Sequence, residues 1–418
     1  MDMTRLRDRG ISILQWRPGT LVRHGKVTLG WMLLRAGAQA ATVVLLARVL
    51  GAAAYGQVVA ILATASLVVS FAGLGLSHMV LRNAARDPAH EAFYFGLARR
   101  WWVLTLPPCM VAAIAVAAML LPGNLPALAA CVAIAAEIAA VSFTELGARH
   151  RQAQQNMHAF GAIQAGLPLL RLGTLIVLLP TLHALTATTV LWAYAASGLT
   201  YTAFLYRRLR VTASSDNAAT EVMTATSGLP FSLAVFATKL QAEFNKPVLA
   251  QTSFGLAGNY NVAQRVVDMA SLPLMALQEA LWPRLYALPD PIRQLHRTGL
   301  ALMAVALVLG VALWLAAPLL PALLGESFAN TVEVLRWLAW LPLLQAFRAL
   351  LNFHAIHHGR MRMIGWAYAL GATVSVAGVT ILVPAFGMTG AVVVGYVAEV
   401  AMILFFLVGS ARTAQGRS

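Results

Sequence analysis

LPFSLAVFATKLQAEFNKPVLAQTSFGLAGNYNVAQRVVDMASLPLMALQEAL, residues 229–281, is long enough for two membrane crossings, yet it carries Lys239, Glu243, Lys246, Arg265 and Asp268 among mostly apolar neighbours. A charge at bilayer depth costs about 2.5–3.5 kcal/mol even on lenient insertion scales, so it normally faces a partner or a wet cavity. Lys239, Glu243 and Lys246 follow a four-then-three spacing that puts all three on one helix face. Arg265 and Asp268 share a face of the next helix, beside Asn261 and Gln264. The stretch therefore reads as the lining of a polar cavity inside a membrane protein.

Composition agrees. Of 418 residues, 60% are hydrophobic and 11% charged, with a mean hydropathy of +0.73. Soluble domains carry about a quarter charged residues. Apolar blocks of roughly twenty residues recur along the chain, the pattern of an all-α polytopic membrane protein. The first 26 residues hold five Arg and one Lys without a compact apolar core, so they do not read as a cleavable signal peptide. Cys109 and Cys131 fall inside apolar blocks and suggest neither a disulfide nor a metal site.

The blocks predict twelve transmembrane helices, at 27–47, 55–78, 98–120, 125–147, 158–179, 184–205, 229–250, 258–281, 298–320, 331–352, 361–383 and 387–409. Basic residues in the connections orient them. Arg5, Arg7, Arg9, Arg17, Arg23, Lys26, Arg82, Arg86, Arg99, Arg100, Arg149 and Arg151 fall on one side. Arg207, Arg208, Arg210, Arg284, Arg293, Arg297, Arg360, Arg362, Arg412 and Arg417 join them, which makes 22 of the 30 basic residues. Arg48 alone lies in a connection of the other side, and the remaining seven lie within the blocks. This bias puts both termini in the cytoplasm. It also accounts for the net charge of +15 without nucleic acid as a partner.

Connections on the outer side, such as 121–124 and 384–387, leave no room for an extracytoplasmic domain. The longest polar insertion reads as a flexible cytoplasmic linker rich in Ser, Thr, Ala and Asn. The expected organisation is a basic segment 1–26, a bundle 27–206, a linker 207–228, a second bundle 229–409 and a tail 410–418. Ala65-Ser66-Leu67 recurs as Ala270-Ser271-Leu272, an offset of 205 that also separates Tyr55 from Tyr260. Two six-helix bundles related by a pseudo-two-fold along the membrane normal follow, the signature of an alternating-access carrier.

Ala47-Arg48-Val49-Leu50-Gly51-Ala52-Ala53-Ala54-Tyr55-Gly56 stands between the first two predicted helices, followed by Phe71-Ala-Gly-Leu-Gly-Leu76 and Arg82-Asn-Ala-Ala-Arg86. In these motifs, and across 27–409, the chain resembles the polysaccharide-biosynthesis transporters that include O-antigen and exopolysaccharide flippases. Their superfamily also holds multidrug and toxin extruders and the lipid II flippase. The resemblance implies transfer of an undecaprenyl-diphosphate-linked oligosaccharide across a bacterial inner membrane, for exopolysaccharide or lipopolysaccharide synthesis. It also implies membrane lipids as surroundings, with a polymerase and glycosyltransferases as partners.

Such a substrate presents two anionic phosphates, which basic residues, Arg above all, recognise well. Arg35, Arg171, Lys239, Lys246 and Arg265 supply them at membrane depth, and Asn261 and Gln264 would meet sugar hydroxyls. Arg336 and Arg348 lie nearer helix ends, where snorkelling explains them; the tryptophans there read as an interfacial belt. Glu243 and Asp268 are the expected ion-coupling residues, for a proton or sodium gradient, because no nucleotide-binding loop and no cofactor motif is present. His354, His357 and His358 cluster without carboxylates, so neither a metal site nor an enzyme is expected. A cation or multidrug antiporter would want a cavity dominated by acids such as Glu137, Glu243 and Asp268. A structural component of a polysaccharide assembly complex would have intramembrane charges that only pair with each other. A lipid II flippase would have fourteen helices.

Overall fold

The computed structural model describes residues 20–123, 125–180, 185–209, 223–278 and 292–415. The centre of the expected linker, most of the N-terminal basic segment and the last three residues lie outside them. The described secondary structure is helical: α1 (Thr20–Val68), α2 (Leu76–Arg86), α3 (Glu91–Leu120), α4 (Ala127–Ala153), α5 (Met157–Leu178) and α6 (Ala187–Arg208). After the gap come α7 (Leu229–Glu243), α8 (Asn245–Thr252), α9 (Phe254–Ala270) and a helical stretch at 272–278. The chain then forms α10 (Ile292–Ala316), α11 (Leu319–Leu324), α12 (Thr331–Leu338), α13 (Leu341–His357) and α14 (Met361–Gln415).

Among the described residues seven helical spans, not twelve, are long and apolar enough to cross a membrane. Two expected pairs are each one span: 27–47 with 55–78 becomes Val27–Phe71, and 361–383 with 387–409 becomes Met361–Ser410. In each the only non-helical residue is a glycine, Gly51 (φ 71°) and Gly387 (φ 55°). Such left-handed geometry disfavours any residue with a Cβ. Three further expected helices do not qualify. The charged stretch at 229–281 breaks into α7, α8 and α9, of 15, 8 and 17 residues. The helix expected at 184–205 forms as α6, diluted by Thr, Ser and Tyr. The plan of two six-helix bundles about a pseudo-two-fold is corrected with the count.

Two large apolar clusters, with two small ones in the C-terminal half, hold the described residues together. The larger one joins α1, α4 and α6 to α9, α12 and α14, so it spans both halves of the chain. The second lies in the N-terminal half together with Leu209 and Met223 of the linker, and in it Tyr94, Phe95, Trp102 and Phe143 are fully or nearly fully buried. Alanines on α4 let its neighbours approach: the backbone at Gly198 of α6 lies so close that an added Cβ would sit 3.3 Å from the Ala136 carbonyl oxygen.

Helices α1 and α9 approach one another closely. A Cβ at Gly56 would fall 1.8 Å from the Phe254 carbonyl oxygen, and one at Gly258 would fall 2.2 Å from that of Ala52. Bare backbones meet there. Asn261 donates to Tyr55 Oη at 2.7 Å, and the Ala52 amide donates to Ser327 Oγ at 3.3 Å. At the other end of the halves' junction, Ser232 donates to the Ser70 carbonyl at 2.7 Å, and Phe71 packs on Phe236 at 5.1 Å. Between these two closures lies a cavity.

Candidate functional site: a charged cavity between the halves

The cavity holds about 450 Å³, within the ordinary range for small-molecule pockets. Its charged wall comes from Arg35 of α1, Glu137 of α4, Arg171 of α5, Glu243 of α7, and Arg265 and Asp268 of α9. Gln39, Tyr55, Tyr194 and Asn261 add polar groups. Residues from both halves therefore face one space.

The charges are arranged in two groups and a remainder. In the first group Arg171 pairs with Glu137, and its guanidinium carbon lies 4.5 Å from the centre of the Tyr194 ring. In the second, Glu243 is held between Lys246, one turn along the chain, and Arg265 at 3.7 Å. Arg265 also approaches Asp268 at 3.9 Å. Lys246, only 1% exposed, stands behind Glu243 and not on the cavity wall. Burying a lone ammonium this deeply would be very costly, so the Glu243 contact is what permits it. Pro247 follows Lys246, and α7 gives way to α8 beside the pair.

The remainder is Arg35. It donates to the amide oxygen of Gln164, and among the described residues no carboxylate comes within 4.0 Å of it. Of the seven basic residues inside the apolar blocks, Arg171, Lys246, Arg265 and Arg348 find carboxylates. Arg35, Lys239 and Arg336 do not, among the described residues.

The structure brings Arg35, Arg171, Arg265, Asn261, Glu243 and Asp268 to one cavity. Lys239 is half-buried on α7 and lines neither this cavity nor the next. Gln264 faces a neighbouring space of about 180 Å³ that shares Asp268 as a wall, and it donates to the Ala242 carbonyl at 3.1 Å. In that space Arg348 pairs with Glu399 at 2.6 Å and donates to Tyr368 Oη at 2.8 Å. Sequence reasoning misses Tyr194, Tyr55 and Gln164. A tyrosine or glutamine inside an apolar block carries no signal until a cation is seen beside it.

Residues 21–288 match the polysaccharide biosynthesis protein family. No curated protein sequence matches the chain. Solved structures share the fold at low identity. An inward-facing multidrug resistance MATE transporter of the MOP superfamily is 14% identical at a TM-score of 0.68, over 93% of this chain and 98% of that one. The lipid II flippase MurJ in an inward closed conformation is 10% identical at 0.67, over 93% and 87%. A MOP superfamily transporter from Pyrococcus furiosus, described as having a binding pocket of reverse polarity, is 15% identical at 0.63, over 95% and 96%. The chain has the MOP/MATE transporter fold, and with the match covering well over half its length it belongs to the polysaccharide biosynthesis protein family.

Proposed function

We propose that this protein is an alternating-access carrier for an anionic lipid-linked oligosaccharide, an undecaprenyl diphosphate glycan by the chemistry its family name suggests. The observation that carries the reading is Arg35, a cavity cation that keeps an amide partner where the other wall cations have carboxylates. The wall carries three cations and three carboxylates, and Lys246 behind it also draws on Glu243, so the acids are shared among the other cations and Arg35 is left with its amide. An incoming phosphate would take the free guanidinium without breaking an ion pair. Arg171 and Arg265 could then share the second phosphate only by loosening Glu137 and Asp268. Asn261 and Tyr55 supply donors and acceptors for a sugar. In this reading the moving bodies are 27–206 and 229–409, the termini are cytoplasmic, and the membrane is a bacterial inner membrane. A polymerase and glycosyltransferases would act before and after the transfer. The test is Arg35→Ala in the producing cell. Undecaprenyl-linked glycan should accumulate while the protein reaches the membrane at normal levels, with Arg35→Lys rescuing partly. Unchanged export would remove Arg35 from the substrate path.

A second reading, cation or multidrug antiport, has its own observation. Asp268 keeps 53% of its side chain exposed at a long 3.9 Å from Arg265, so a carboxylate is open to the cavity. Solved structures of like fold include multidrug transporters. The same acid serves the first reading as the coupling group: it can exchange Arg265 for a proton or sodium ion, with Glu243 as the alternative. Loss of drug efflux in a deletion strain, without a glycan defect, would favour the antiporter.

A further inference from the structure

Arg336 is the other arginine of the apolar blocks without a carboxylate among the described residues, and it does not line the central cavity. Its guanidinium carbon sits 4.8 Å from the centre of the Trp314 ring, and its Nε is buried with no hydrogen-bond partner. Glu333, one turn earlier on α12, lies beyond 4.0 Å from it. Together with Trp337, Trp340 and Asn330 these residues line a separate hollow of about 410 Å³. The simple snorkelling account of Arg336 needs an exposed or paired head group; here the head is half-buried over an indole.

Three features define what the hollow would take. The first is charge: a guanidinium over an aromatic face, with no carboxylate within 4.0 Å among the described residues, recognises an anion, and its planar fork suits a phosphate. The second is the wall. Trp314 and Trp337 are 41% and 56% exposed, and indoles with an apolar body and one N–H prefer the level of lipid head groups. Glu333 and Asn330 are exposed beside them and can accept from hydroxyls. The third is direction. The neighbouring Val311, Leu315, Leu319 and Leu323 are exposed, so this face of α10 and α11 looks towards acyl chains. No residue is shared with the central cavity, so the hollow does not lie on the substrate path. It sits at the end of the molecule marked by the Gly51 bend, since Ser327, three residues before Asn330, accepts from the Ala52 amide.

We propose that this hollow is a binding site for an anionic phospholipid with a hydroxylated head group. The lipid phosphate sits on Arg336 and the head-group hydroxyls on Glu333 and Asn330. Its chains run along α10 and α11. Ser327 and Asn259 tie the same segment to α1 and α9, so a bound lipid would brace one closure of the central cavity.

The experiment is native mass spectrometry of the full delipidated chain in detergent, with phosphatidylglycerol, phosphatidylcholine and undecaprenyl diphosphate as separate probes. Phosphatidylglycerol should be retained about tenfold more strongly than phosphatidylcholine, the size expected of one charge-assisted contact. Arg336→Gln should abolish that preference, and Arg336→Lys should keep part of it. Equal retention by the parent and Arg336→Gln overturns the site. So does a hollow that discriminates only for undecaprenyl diphosphate, because the ligand would then be the cargo. Should Arg336→Gln fail to fold, a photoreactive phosphatidylglycerol on the unsubstituted protein decides: the 329–340 peptide should carry the label, and labelling confined to other peptides refutes the proposal.

Discussion

At the scale of single residues, the question is which charges hold the fold and which remain open for a ligand. Arg171 and Glu137 are each 12% exposed and pair across α4 and α5 through both terminal nitrogens of the guanidinium, so this pair is structural as well as cavity-lining. Removing one partner leaves a buried charge uncompensated, a loss of about 3–5 kcal/mol. Arg171→Ala should therefore lower the melting temperature in detergent markedly, and adding Glu137→Gln should restore more than half of the drop. Failure of the second substitution to restore stability would show that the pair does not hold the two helices. Asp268 behaves differently, being half exposed and at a long distance from its partner. Asp268→Asn should leave stability and lipid binding near the parent values while abolishing the response of transport in proteoliposomes to an imposed proton or sodium gradient. A variant that still responds to both gradients moves the coupling role to Glu243.

Helices are legible in the sequence where periodicity and apolarity agree, and illegible where the break is conformational. The spans at 98–120, 125–147 and 158–179 correspond to α3, α4 and α5, long blocks bounded by polar residues. The expected gap at 48–54 is helical on both sides of Gly51, because Ala-rich sequence carries no stop signal and only the φ of one glycine interrupts the helix. Of the charges in 229–281, Glu243, Arg265 and Asp268 are legible as a cavity wall while Lys239 and Lys246 stand off it, and the effect of all five on helix continuity is not legible. Glu243 with Asn245, and Thr252 with Ser253, end short helices that apolarity alone would have joined. Gly56 and Gly258 look like common small residues, and only the fold shows that two backbones touch there. Gly56→Leu should push α1 from α9 and destabilise the junction far more than Gly51→Ala. The latter strains a single extended, positive-φ residue at a cost of about 1–3 kcal/mol. The melting temperature in detergent reports the contact: Gly56→Leu should lower it well beyond Gly51→Ala, and equal drops in the two variants would show that the helices do not rely on it.

Across the whole molecule, the proposed orientation rests on the basic residues of the connections. The arginine-rich connections sit with α2, the start of α3 and the α4–α5 turn, whereas Gly51 bends the middle of α1 and 121–123 follow the far end of α3. Cysteines at Ala89 and Gly123, in a background lacking Cys109 and Cys131, should label from the cytoplasmic and outer faces respectively. Labelling of both from one face would overturn the proposed orientation. The central cavity is legible as a set of residue types, since Arg35, Arg171, Arg265, Glu243 and Asp268 all stand on its wall. Their pairing is not legible, because Glu137 lies 34 residues from Arg171 and belongs to a different helix. That pairing singles out Arg35, on which the proposed transport of an anionic lipid depends. The decisive measurement is transfer across proteoliposomes containing the purified full chain, with a fluorescent undecaprenyl diphosphate oligosaccharide and a cationic dye offered in parallel. The expected result is transfer of the anionic lipid, loss of at least nine-tenths of it in Arg35→Ala, roughly the effect of one charge-assisted phosphate contact, and no dye transport. Dye transport that survives Arg35→Ala, with no movement of the lipid, would contradict it.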